Sequence, residues 1–406
     1  MLTIKRLKRR QVIILLTVLL CITLCKQLHV DVDFMYSKIK KPKFDKQHHS
    51  IYNMSFSKVR KHRNKDILNK TMLFWNPQPW LNDWIGKKWD TSDVFTKCPV
   101  SNCVVTKQRL YIKQADAVIF RAVRFLCQKK SKKGQIWIMF EHESPMKYQT
   151  LNNTCHRNLF NWTITYRRDS DFTFVHGQFS KTSSPFNESS IDRILKAKTK
   201  TAVGFISNCY TQSQREDYIK QLRKYGIDVD IYGRCGHHHC TSGNRFNAVW
   251  NITPRVNKTK DCFDVLDSKY KFYLSFENSL CDDYVTEKSL HLVLRHNIVP
   301  IIRDAANRTL FQPPTSYLDT KDFKNVKSLA DRIKYLNKNF EEYKKYFHWK
   351  KHFYPETSSG VIKSILCDIC YRLHNQHKYP RVYRNVFDFL QSRGSNSSTC
   401  HQPVDF

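Results

Sequence analysis

Short apolar runs alternate with longer amphipathic stretches along most of the chain. The runs occupy residues 117–120, 136–140, 202–206, 227–231, 272–276 and 298–302. Apolar runs of this length are typical of buried strands, and strands that alternate with helices form parallel sheets. The pattern therefore predicts two α/β units with parallel sheets, which meet near residue 195, where residues 196–200 form a polar link.

The amino terminus has the pattern of a membrane anchor. Five of the first ten residues are Lys or Arg, and residues 11–25 form an almost unbroken apolar run that extends to 28 if Lys26 reaches the interface. Eighteen helical residues at about 1.5 Å each would span roughly 27 Å, close to a thin bilayer. No small-residue cleavage site follows, so the pattern favours a signal anchor over a cleaved signal peptide. We expect a cytoplasmic tail at 1–10, a transmembrane helix at 11–28 and a stem at 29–70.

Two further features favour a lumenal location for the rest of the chain. Nine Asn-x-Ser/Thr sequons begin at Asn53, Asn69, Asn152, Asn161, Asn187, Asn251, Asn257, Asn307 and Asn396. Twelve of the fourteen cysteines lie beyond the predicted anchor, and we expect them to pair in an oxidising compartment. We interpret the C-x-x-C at Cys367 and Cys370 as structural rather than as a redox or zinc motif, because Cys98 and Cys103 offer a matching close pair upstream.

The chain is strongly basic, with a formal net charge of +34. Such a charge would ordinarily suggest a nucleic-acid partner, but a lumenal location argues against one. We interpret most of the basic residues as a solvated surface, with a smaller role in attracting an anionic ligand. The chain contains neither G-x-G-x-x-G nor a Walker loop. A nucleotide would therefore have to be held by side chains and helix ends.

The densest set of polar side chains lies between the predicted strands 272–276 and 298–302. Residues 278–283 have loop composition and residues 285–295 have helical character, which makes this segment a β-α-β unit. Ligands of open parallel sheets bind at the carboxyl ends of strands, where a helix N-terminus presents free N–H groups to anions. Lys288, one turn into the predicted helix, would add a positive charge there.

This segment resembles the donor-binding signature of the α1,3-fucosyltransferase family. The signature consists of Phe-Glu-Asn-Ser, a short spacer and Asp-Tyr-Val-Thr-Glu-Lys, which stand here at 276–279 and 283–288. A second match to the family begins at Val203, continues through Arg215 on the next predicted helix and ends at Gly236. Further matches are the Glu-Ser-Pro that begins at Glu143 and the stretch 159–171, so that the resemblance covers about residues 71–355.

The family resemblance implies a GT-B fold, in which two Rossmann-like α/β domains face a cleft. It places an acceptor-side domain at 71–195 and a GDP-fucose-binding domain at 196–370. The C-terminal segment 371–406 is expected to be tied back by disulfides, because the family connects its C-terminal cysteines to the first domain. The resemblance also implies a single-pass type II protein of the Golgi membrane with its catalytic part in the lumen.

The resemblance assigns roles to named residues. The implied donor site consists of Ser207, Asn208, Arg215, Asn278, Tyr284, Glu287 and Lys288. Arg215 and Lys288 would bind the diphosphate of GDP-fucose, and Glu287 would contact fucose or ribose hydroxyls. Glu143 is the expected catalytic base. Glu141 is its rival, because residues two apart on a strand face the same side.

Several motifs raise the question of a metal. Two D-x-D triplets, 169–171 and 228–230, resemble the metal-binding carboxylates of other glycosyltransferases, but the first lies in a family segment without a metal role and the second lies in a predicted strand. The Cys and His residues of 235–240 are spaced too tightly for all of them to bind one zinc ion, which favours a local disulfide or a solvated loop. We therefore expect no required metal or cofactor, and leave open stimulation by a divalent cation.

The expected activity is inverting transfer of L-fucose from GDP-β-L-fucose to a hydroxyl of N-acetylglucosamine in a glycoprotein or glycolipid glycan, which gives an α1,3 linkage. Protein O-fucosyl transfer and a non-catalytic lumenal glycan-binding role stay open as alternatives. The chain departs from the family pattern at 289–291 and at 303–304, behind the donor loop, which leaves the level of activity open. The acceptor class is not decided by the sequence.

Overall fold

The computed structural model of the chain describes residues 68–78, 81, 85, 89–122, 125, 129–147, 157–182, 187–238, 264–290, 296–393 and 397–405. These residues belong to one unit of the chain, Ile51–Phe406. The predicted cytoplasmic tail and membrane anchor, and nearly all of the predicted stem, lie outside the described residues. Within the described ranges, no helix has the length and apolar character needed to cross a membrane.

The first part of the described chain forms a six-stranded sheet. Its strands are β1 (Lys70–Phe74), β2 (Cys103–Thr106), β3 (Ala117–Arg121), β4 (Ile136–Glu141), β5 (Trp162–Thr165) and β6 (Phe172–Thr173). All neighbours pair in parallel, in the order β2-β1-β3-β4-β5-β6. Every residue of β4 is buried, as expected for a central strand of a parallel sheet that is covered on both faces.

A second sheet has five strands, also all parallel. They are β8 (Lys200–Phe205), β9 (Val229–Tyr232), β10 (Tyr270–Phe276), β11 (Val299–Arg303) and β12 (Leu318–Asp319), in the order β12-β11-β10-β8-β9. Two antiparallel pairs complete the described strands. They are β7 (Gly177–Lys181) with β13 (Phe353–Thr357), and β14 (Ser392–Arg393) with β15 (Ser397–Ser398).

The helices connect and cover these strands. The α-helices are α1 (Glu188–Lys196), α2 (Arg215–Lys224), α3 (Asp264–Ser268), α4 (Val326–Lys338), α5 (Phe340–Lys344), α6 (Ser358–His374) and α7 (Val386–Gln391), and residues 287–290 are also helical. Short 3-10 helices occupy Asp93–Phe95, Arg109–Lys113, Pro145–Lys147, Arg308–Leu310, Thr320–Asp322, Lys345–Lys351 and Gln376–Lys378. Residues from α2 and α4 pack with β8, β10 and β11 in one apolar core.

The predicted α/β class with parallel sheets is confirmed. The six apolar runs correspond to β3, β4, β8, β9, β10 and β11, and their ends differ from the predicted ones by at most two residues. The runs did not reveal the other strands of the two sheets, which are β1, β2, β5, β6 and β12. Each of these strands has two to five residues and contains threonine or a charged residue, so none forms a recognisable apolar run.

Helix α6 follows the second sheet in sequence but packs on the first. Ile365 and Ile369 of α6 share a core with Met72 and Phe74 of β1. Two disulfides, Cys98–Cys367 and Cys103–Cys370, tie the same helix to the region around β2. The C-x-x-C is therefore structural, as predicted, and it fixes α6 to the region around β2.

The second sheet contains a topological switch point between β8 and β10. β8 connects to β9 on one side of the sheet, whereas β10 connects to β11 on the other side. A crevice forms at the carboxyl ends of two such strands, and open α/β sheets bind their ligands there. The loops that follow β8 and β10 lead into α2 and into the helical segment 287–290.

Candidate active site

All seven residues predicted for donor binding lie beyond the carboxyl ends of β8 and β10. Ser207, Asn208 and Arg215 follow β8, whereas Asn278, Tyr284, Glu287 and Lys288 follow β10. Because β8 and β10 are hydrogen-bonded neighbours, the two groups meet at the topological switch point. The structure thus brings the two predicted motifs to one edge of one sheet.

Lys288 is the centre of a buried ion-pair cluster. Its Nζ lies 3.2 Å from a carboxylate oxygen of Glu277, 3.2 Å from one of Glu287 and 2.9 Å from Thr286 Oγ1. Glu277 is fully buried and also accepts hydrogen bonds from the backbone N–H and the hydroxyl of Thr286, at 2.8 and 2.9 Å. Burial works against the charge of Lys288, but the two carboxylates raise its pKa above 10.5. Lys288 is therefore a fixed cation, and Glu277 holds it in place.

Glu287 is the more accessible carboxylate of this cluster, with 12% of its side chain exposed. Burial would raise its pKa, but the charge of Lys288 outweighs that effect and the pKa of Glu287 is about 2. His176 lies beside it, with Nδ1 4.0 Å from Glu287 Oε2. Burial lowers the pKa of His176 below 6.5, so its ring is neutral at physiological pH. Its Nε2 is buried and has no hydrogen-bond partner in the described structure.

Arg215 joins the two loops of the crevice. Its guanidinium donates to the backbone carbonyl of Phe276 and to that of Asn208, both at 2.9 Å, and the residue is only 3% exposed. These bonds connect the end of β10 with the loop after β8. A guanidinium has five N–H groups, so two such bonds leave others for an anion. Arg215 is thus a structural brace as well as a cation of the crevice.

The loop after β8 approaches the loop after β9 closely. A disulfide joins Cys209 to Cys235. Cys235 is therefore paired with a cysteine outside residues 235–240 and is not a zinc ligand. These two cysteines can pair because they follow neighbouring strands. Gly233 between them has a φ of 105°, and a Cβ there would lie 2.7 Å from the Ile206 carbonyl oxygen. Ser207 and Asn208 are exposed on this pinned loop.

Glu143 and Glu141 occupy different environments, although both lie near the carboxyl end of β4. The strand ends at Glu141, so the alternation of a strand does not extend to Glu143. Glu141 is fully buried, accepts the backbone N–H groups of the next two residues at 3.0 Å and pairs with Arg121 at 3.8 Å. Burial raises the pKa of Glu141 above 4.5. These contacts give Glu141 a structural role.

Glu143 is the carboxylate that meets the second sheet. Its Oε2 lies 3.5 Å from the hydroxyl of Tyr284 and 3.0 Å from Lys147 Nζ, and its side chain is 20% exposed. Burial works to raise its pKa, but neighbouring charges, including that of Lys147, bring it below 4.5. Burial and the carboxylates around Tyr284 hold the pKa of its phenol well above 10. Glu143 is thus an ionised acceptor beside a neutral hydroxyl donor.

Further contacts hold the ends of the two sheets together at this point. The hydroxyls of Ser144 and Ser279 are 2.8 Å apart and buried. Asp283 accepts from the backbone N–H of Arg168 at 3.3 Å. The rings of Tyr166 and Tyr284 meet edge to face with centroids 5.0 Å apart. The loops that carry Glu143 and the donor signature therefore lie in direct contact.

The motifs that suggested a metal have other partners. Three of the four carboxylates of the D-x-D triplets bind neighbouring side chains: Asp169 pairs with Arg167 at 2.6 Å, Asp171 accepts from Tyr383 at 2.8 Å, and Asp230 pairs with Lys200 at 2.8 Å. The fourth, Asp228, is exposed. Within the described part of the chain, one group of His, Cys or acidic side chains has metal-ligand spacing: Cys103, Cys370 and His374. Its two cysteines form a disulfide and therefore are not metal ligands.

Two residues of the site, Glu277 and His176, were not predicted. Glu277 directly follows the apolar strand β10, and a charge at such a position needs a buried partner, which was the available signal. His176 stands among Phe174, Val175 and Gly177, and no local pattern links it to Glu287. Together these groups form a buried ion-pair cluster at a switch point, beside Tyr284, which contacts an ionised carboxylate from the other sheet. Such a site suits an anionic substrate and a proton transfer.

Comparison with known proteins assigns the site to a family. Residues 68–177 match the family model "Fucosyltransferase, N-terminal", and residues 195–389 match "Glycosyltransferase family 10 (fucosyltransferase) C-term". The chain is 32% identical over 336 residues to "Glycoprotein 3-alpha-L-fucosyltransferase A" of Drosophila melanogaster, a match that covers 80% of this chain and 61% of that protein. It is 31% identical over 308 residues to "Alpha-(1,3)-fucosyltransferase fut-5" of Caenorhabditis elegans, with 74% of this chain and 77% of that protein covered.

A more distant likeness is to a solved structure, "Crystal Structure of alpha1,3-Fucosyltransferase with GDP-fucose". The TM-score is 0.45 at 16% identity, and the match covers 77% of this chain and 93% of that one. The two family models and the nematode relative are sufficient to define the family. This chain belongs to the fucosyltransferases of glycosyltransferase family 10. It spans less than two thirds of the length of the Drosophila relative.

Proposed function

We propose that this chain transfers L-fucose from GDP-β-L-fucose to a hydroxyl of N-acetylglucosamine in glycoprotein or glycolipid glycans, with inversion and an α1,3 linkage. The observation that carries the proposal is the 3.5 Å contact between Glu143 and Tyr284 of the donor signature. Through it, an ionised carboxylate that follows one sheet contacts the loop that carries Lys288 on the other. Family membership and the printed names of the two relatives support fucose as the transferred sugar.

The leaving group determines what the second sheet must supply. When the bond between fucose C1 and the β-phosphate oxygen breaks, its electron pair stays on GDP. Lys288 and Arg215 stabilise this charge, together with the N-terminus of the helical segment 287–290. Tyr284 lines the donor side of the site while its one hydroxyl proton is donated to Glu143, and Asn278, whose buried Oδ1 has no hydrogen-bond partner in the described structure, accepts from a hydroxyl of the donor. Ser207 and Asn208, exposed beyond β8, contact the nucleotide.

The attacking group determines what the first sheet must supply. An acceptor hydroxyl oxygen forms the new bond to C1 on the face opposite the departing phosphate, which inverts the anomeric configuration. Glu143 takes the proton of that hydroxyl. Because its pKa lies below 4.5, Glu143 is a carboxylate at neutral pH and can accept a proton. Glu287 and the neutral His176 beside it bind hydroxyls of the transferred sugar.

The location and domain organisation are part of the same proposal. A type II anchor at residues 11–28 would place the catalytic part in the Golgi lumen, where glycoprotein acceptors pass. The two sheets would act as the acceptor-side and donor-side domains of a GT-B fold. In this scheme the fixed cations offset the diphosphate charge, so a divalent cation is not required, although it could add to the rate.

The test is product mass. The full-length chain, extracted in detergent, is incubated with GDP-fucose and one of three acceptors, first with a chelator and then with added divalent cation. The acceptors are N-acetyllactosamine, a trimmed N-glycan and a folded cysteine-rich protein domain. Addition of one deoxyhexose to either glycan is the expected result. Addition to the protein domain alone would favour protein O-fucosyl transfer, and GDP binding without transfer to any acceptor would favour the glycan-binding role.

A further inference from the structure

The C-terminal segment 397–405 lies beyond the family match, which ends at residue 389, yet it contacts the donor signature directly. Cys281, in the spacer of the signature, forms a disulfide with Cys400. Backbone hydrogen bonds flank this disulfide on both sides. The N–H of Asp282 donates to the Thr399 carbonyl at 2.8 Å, and the N–H of His401 donates to the Leu280 carbonyl at 2.7 Å. The segment therefore pairs with the donor loop through one antiparallel β-bridge, between Cys281 and Cys400.

The same segment reaches the loop that precedes Arg215. Gln212 accepts from the backbone N–H of Leu280 at 2.9 Å and donates to the carbonyl of His401 at 2.7 Å. The ring of His401 lies 2.8 Å from Asp282. One glutamine thus links three segments: the loop before α2, the donor loop and the C-terminal segment. Both loops therefore contact His401, in addition to the direct bonds between them.

An ion pair between buried Arg303 and partly exposed Asp405 anchors the far end of the segment. Arg303 is 1% exposed and binds both carboxylate oxygens of Asp405, at 2.7 and 2.6 Å. The same guanidinium donates to the carbonyl of Ser213, whose hydroxyl donates to the Glu277 carbonyl at 2.6 Å. Asp405 is therefore part of a chain of bonds that ends at the backbone of the residue that orients Lys288.

The disulfide also packs against the site itself. Cys281, Tyr166 and Tyr284 form one small buried cluster, and Cys400 packs against it. Tyr284 is the residue that contacts Glu143. The position of Cys400 therefore bears on the position of the phenol, and not only on the outer side of the loop.

We propose that residues 397–405 form a strap that positions the donor loop, and that binding of the nucleoside diphosphate sugar depends on it. The strap touches neither reacting group, so its residues are positioning residues. Without it, both loops lose the contacts that they share with residues 397–405, and the spacing of Arg215 and Lys288 depends only on direct contacts between the loops, such as that of Ser213 with Glu277. The expected defect is weaker binding of donor and of GDP, with binding of the acceptor unchanged. The identity of the ligand, GDP-fucose, rests on the proposed function, whereas the positioning of the donor loop by the strap does not.

The test compares two disulfides in the full-length chain. Cys281→Ala with Cys400→Ala releases the strap, while Cys98→Ala with Cys367→Ala removes a disulfide that lies on the first sheet and outside the donor loop. We expect the first double variant to raise the KM for GDP-fucose and the Kd for GDP about tenfold, with the acceptor KM within twofold of wild type. The second should lower the melting temperature without changing the donor KM. An equal rise in the donor KM and the acceptor KM, or an unchanged donor KM, would refute the proposal that the strap positions the donor loop.

Two additions keep the test decisive. Gln212→Ala removes the bonds from the loop before α2 to His401 and Leu280 while keeping every cysteine. It should also raise the donor KM, and it serves as the test if the cysteine variant fails to fold. Hydrogen exchange of the amides in 280–286 needs no activity and should become faster in both variants. Unchanged hydrogen exchange at 280–286 would refute the positioning role of the strap even if fucose transfer is observed. Faster exchange in a protein that neither binds GDP nor transfers fucose would instead refute the proposed function and leave the strap standing as a structural element.

Discussion

Replacing Glu143 with glutamine separates proton transfer from the rest of the site. Glutamine has nearly the same shape and keeps an oxygen for the hydroxyl of Tyr284, but it cannot take a proton from an acceptor. The side chain of Glu143 is 20% exposed, and that of its partner Lys147 is 44% exposed. An ion pair of this exposure contributes about 0–1 kcal/mol. The free energy of unfolding should therefore change little.

The expected loss of catalysis is larger than this loss of stability. A positioned general base contributes about 10²–10⁴-fold in rate. At about 1.36 kcal/mol per factor of ten, this equals roughly 2.7–5.4 kcal/mol of activation free energy. We expect Glu143→Gln to lower kcat by about 10²-fold or more. The KM for GDP-fucose should stay close to that of wild type, because the donor cations belong to the other sheet.

The assay is the initial rate of GDP release at saturating donor and acceptor, together with a melting curve for each variant. Glu141→Gln is the matched control, since it changes the same functional group two residues away. That variant takes a buried carboxylate partner from Arg121, 3.8 Å away, and should lower the melting temperature while Glu143 stays in place. A kcat for Glu143→Gln within threefold of wild type, in a folded protein, would refute the role of Glu143 as the base.

Three other changes test neighbouring parts of the site. Lys147→Met removes the ammonium 3.0 Å from Glu143, so the pKa of Glu143 should rise. Because the base must be ionised, activity is lost as pH falls through that pKa, and the acid limb of the kcat/KM profile should move to higher pH. An acid limb at the wild-type pH would count against Glu143 as the titrating base. Glu277→Gln weakens buried hydrogen bonds to Thr286 and Lys288. Since a hydrogen bond to a charged group is worth about 1.5–3 kcal/mol, kcat/KM for the donor should fall by about 10–100-fold. The acceptor KM should not change if Glu277 acts only through Lys288. His176→Phe keeps the ring volume and removes both nitrogens, so donor kcat/KM should fall by up to about tenfold; His176→Gln should recover part of the loss, and wild-type values in both variants would exclude a polar role.

Local pattern was sufficient to predict the strands that form the centre of each sheet. The runs that became β4 and β10 are apolar because both faces of a central parallel strand are covered, and this burial leaves a direct mark on the sequence. The seven donor residues were predicted from the family resemblance. The repeated strand-loop-helix pattern added a physical reason for Arg215 and Lys288, because polar side chains that follow neighbouring parallel strands meet at the same edge of a sheet.

Contacts between distant parts of the chain could not be predicted in this way. Cys281 and Cys400 are separated by 119 residues, and nothing near either cysteine indicates its partner. His176 meets Glu287 because the carboxyl ends of the two sheets lie against each other, which is a consequence of tertiary packing. The rivalry between Glu141 and Glu143 depended on where β4 ends, and strand ends are set by pairing with neighbours rather than by local composition.

The ion-pair cluster explains why the donor signature contains two glutamates beside its lysine. A lone ammonium at the position of Lys288 would pay a large desolvation cost, and Glu277, which is fully buried, offsets that cost through direct contact. Glu287 stays at the accessible side of the cluster, where it can bind hydroxyl groups. The two carboxylates therefore have separate roles, one in orienting the cation and one in contacting substrate.

The most direct test of inverting fucosyl transfer is the anomeric configuration and linkage of the product, determined by NMR after incubation of the full-length chain with GDP-β-L-fucose and a trimmed N-glycan. Wild type should form an α-linked fucose on O3 of N-acetylglucosamine, and Glu143→Gln should form almost none. A β-linked fucose would contradict single displacement with Glu143 as the base. Free fucose as the sole product, from wild type with acceptor present, would contradict transfer itself.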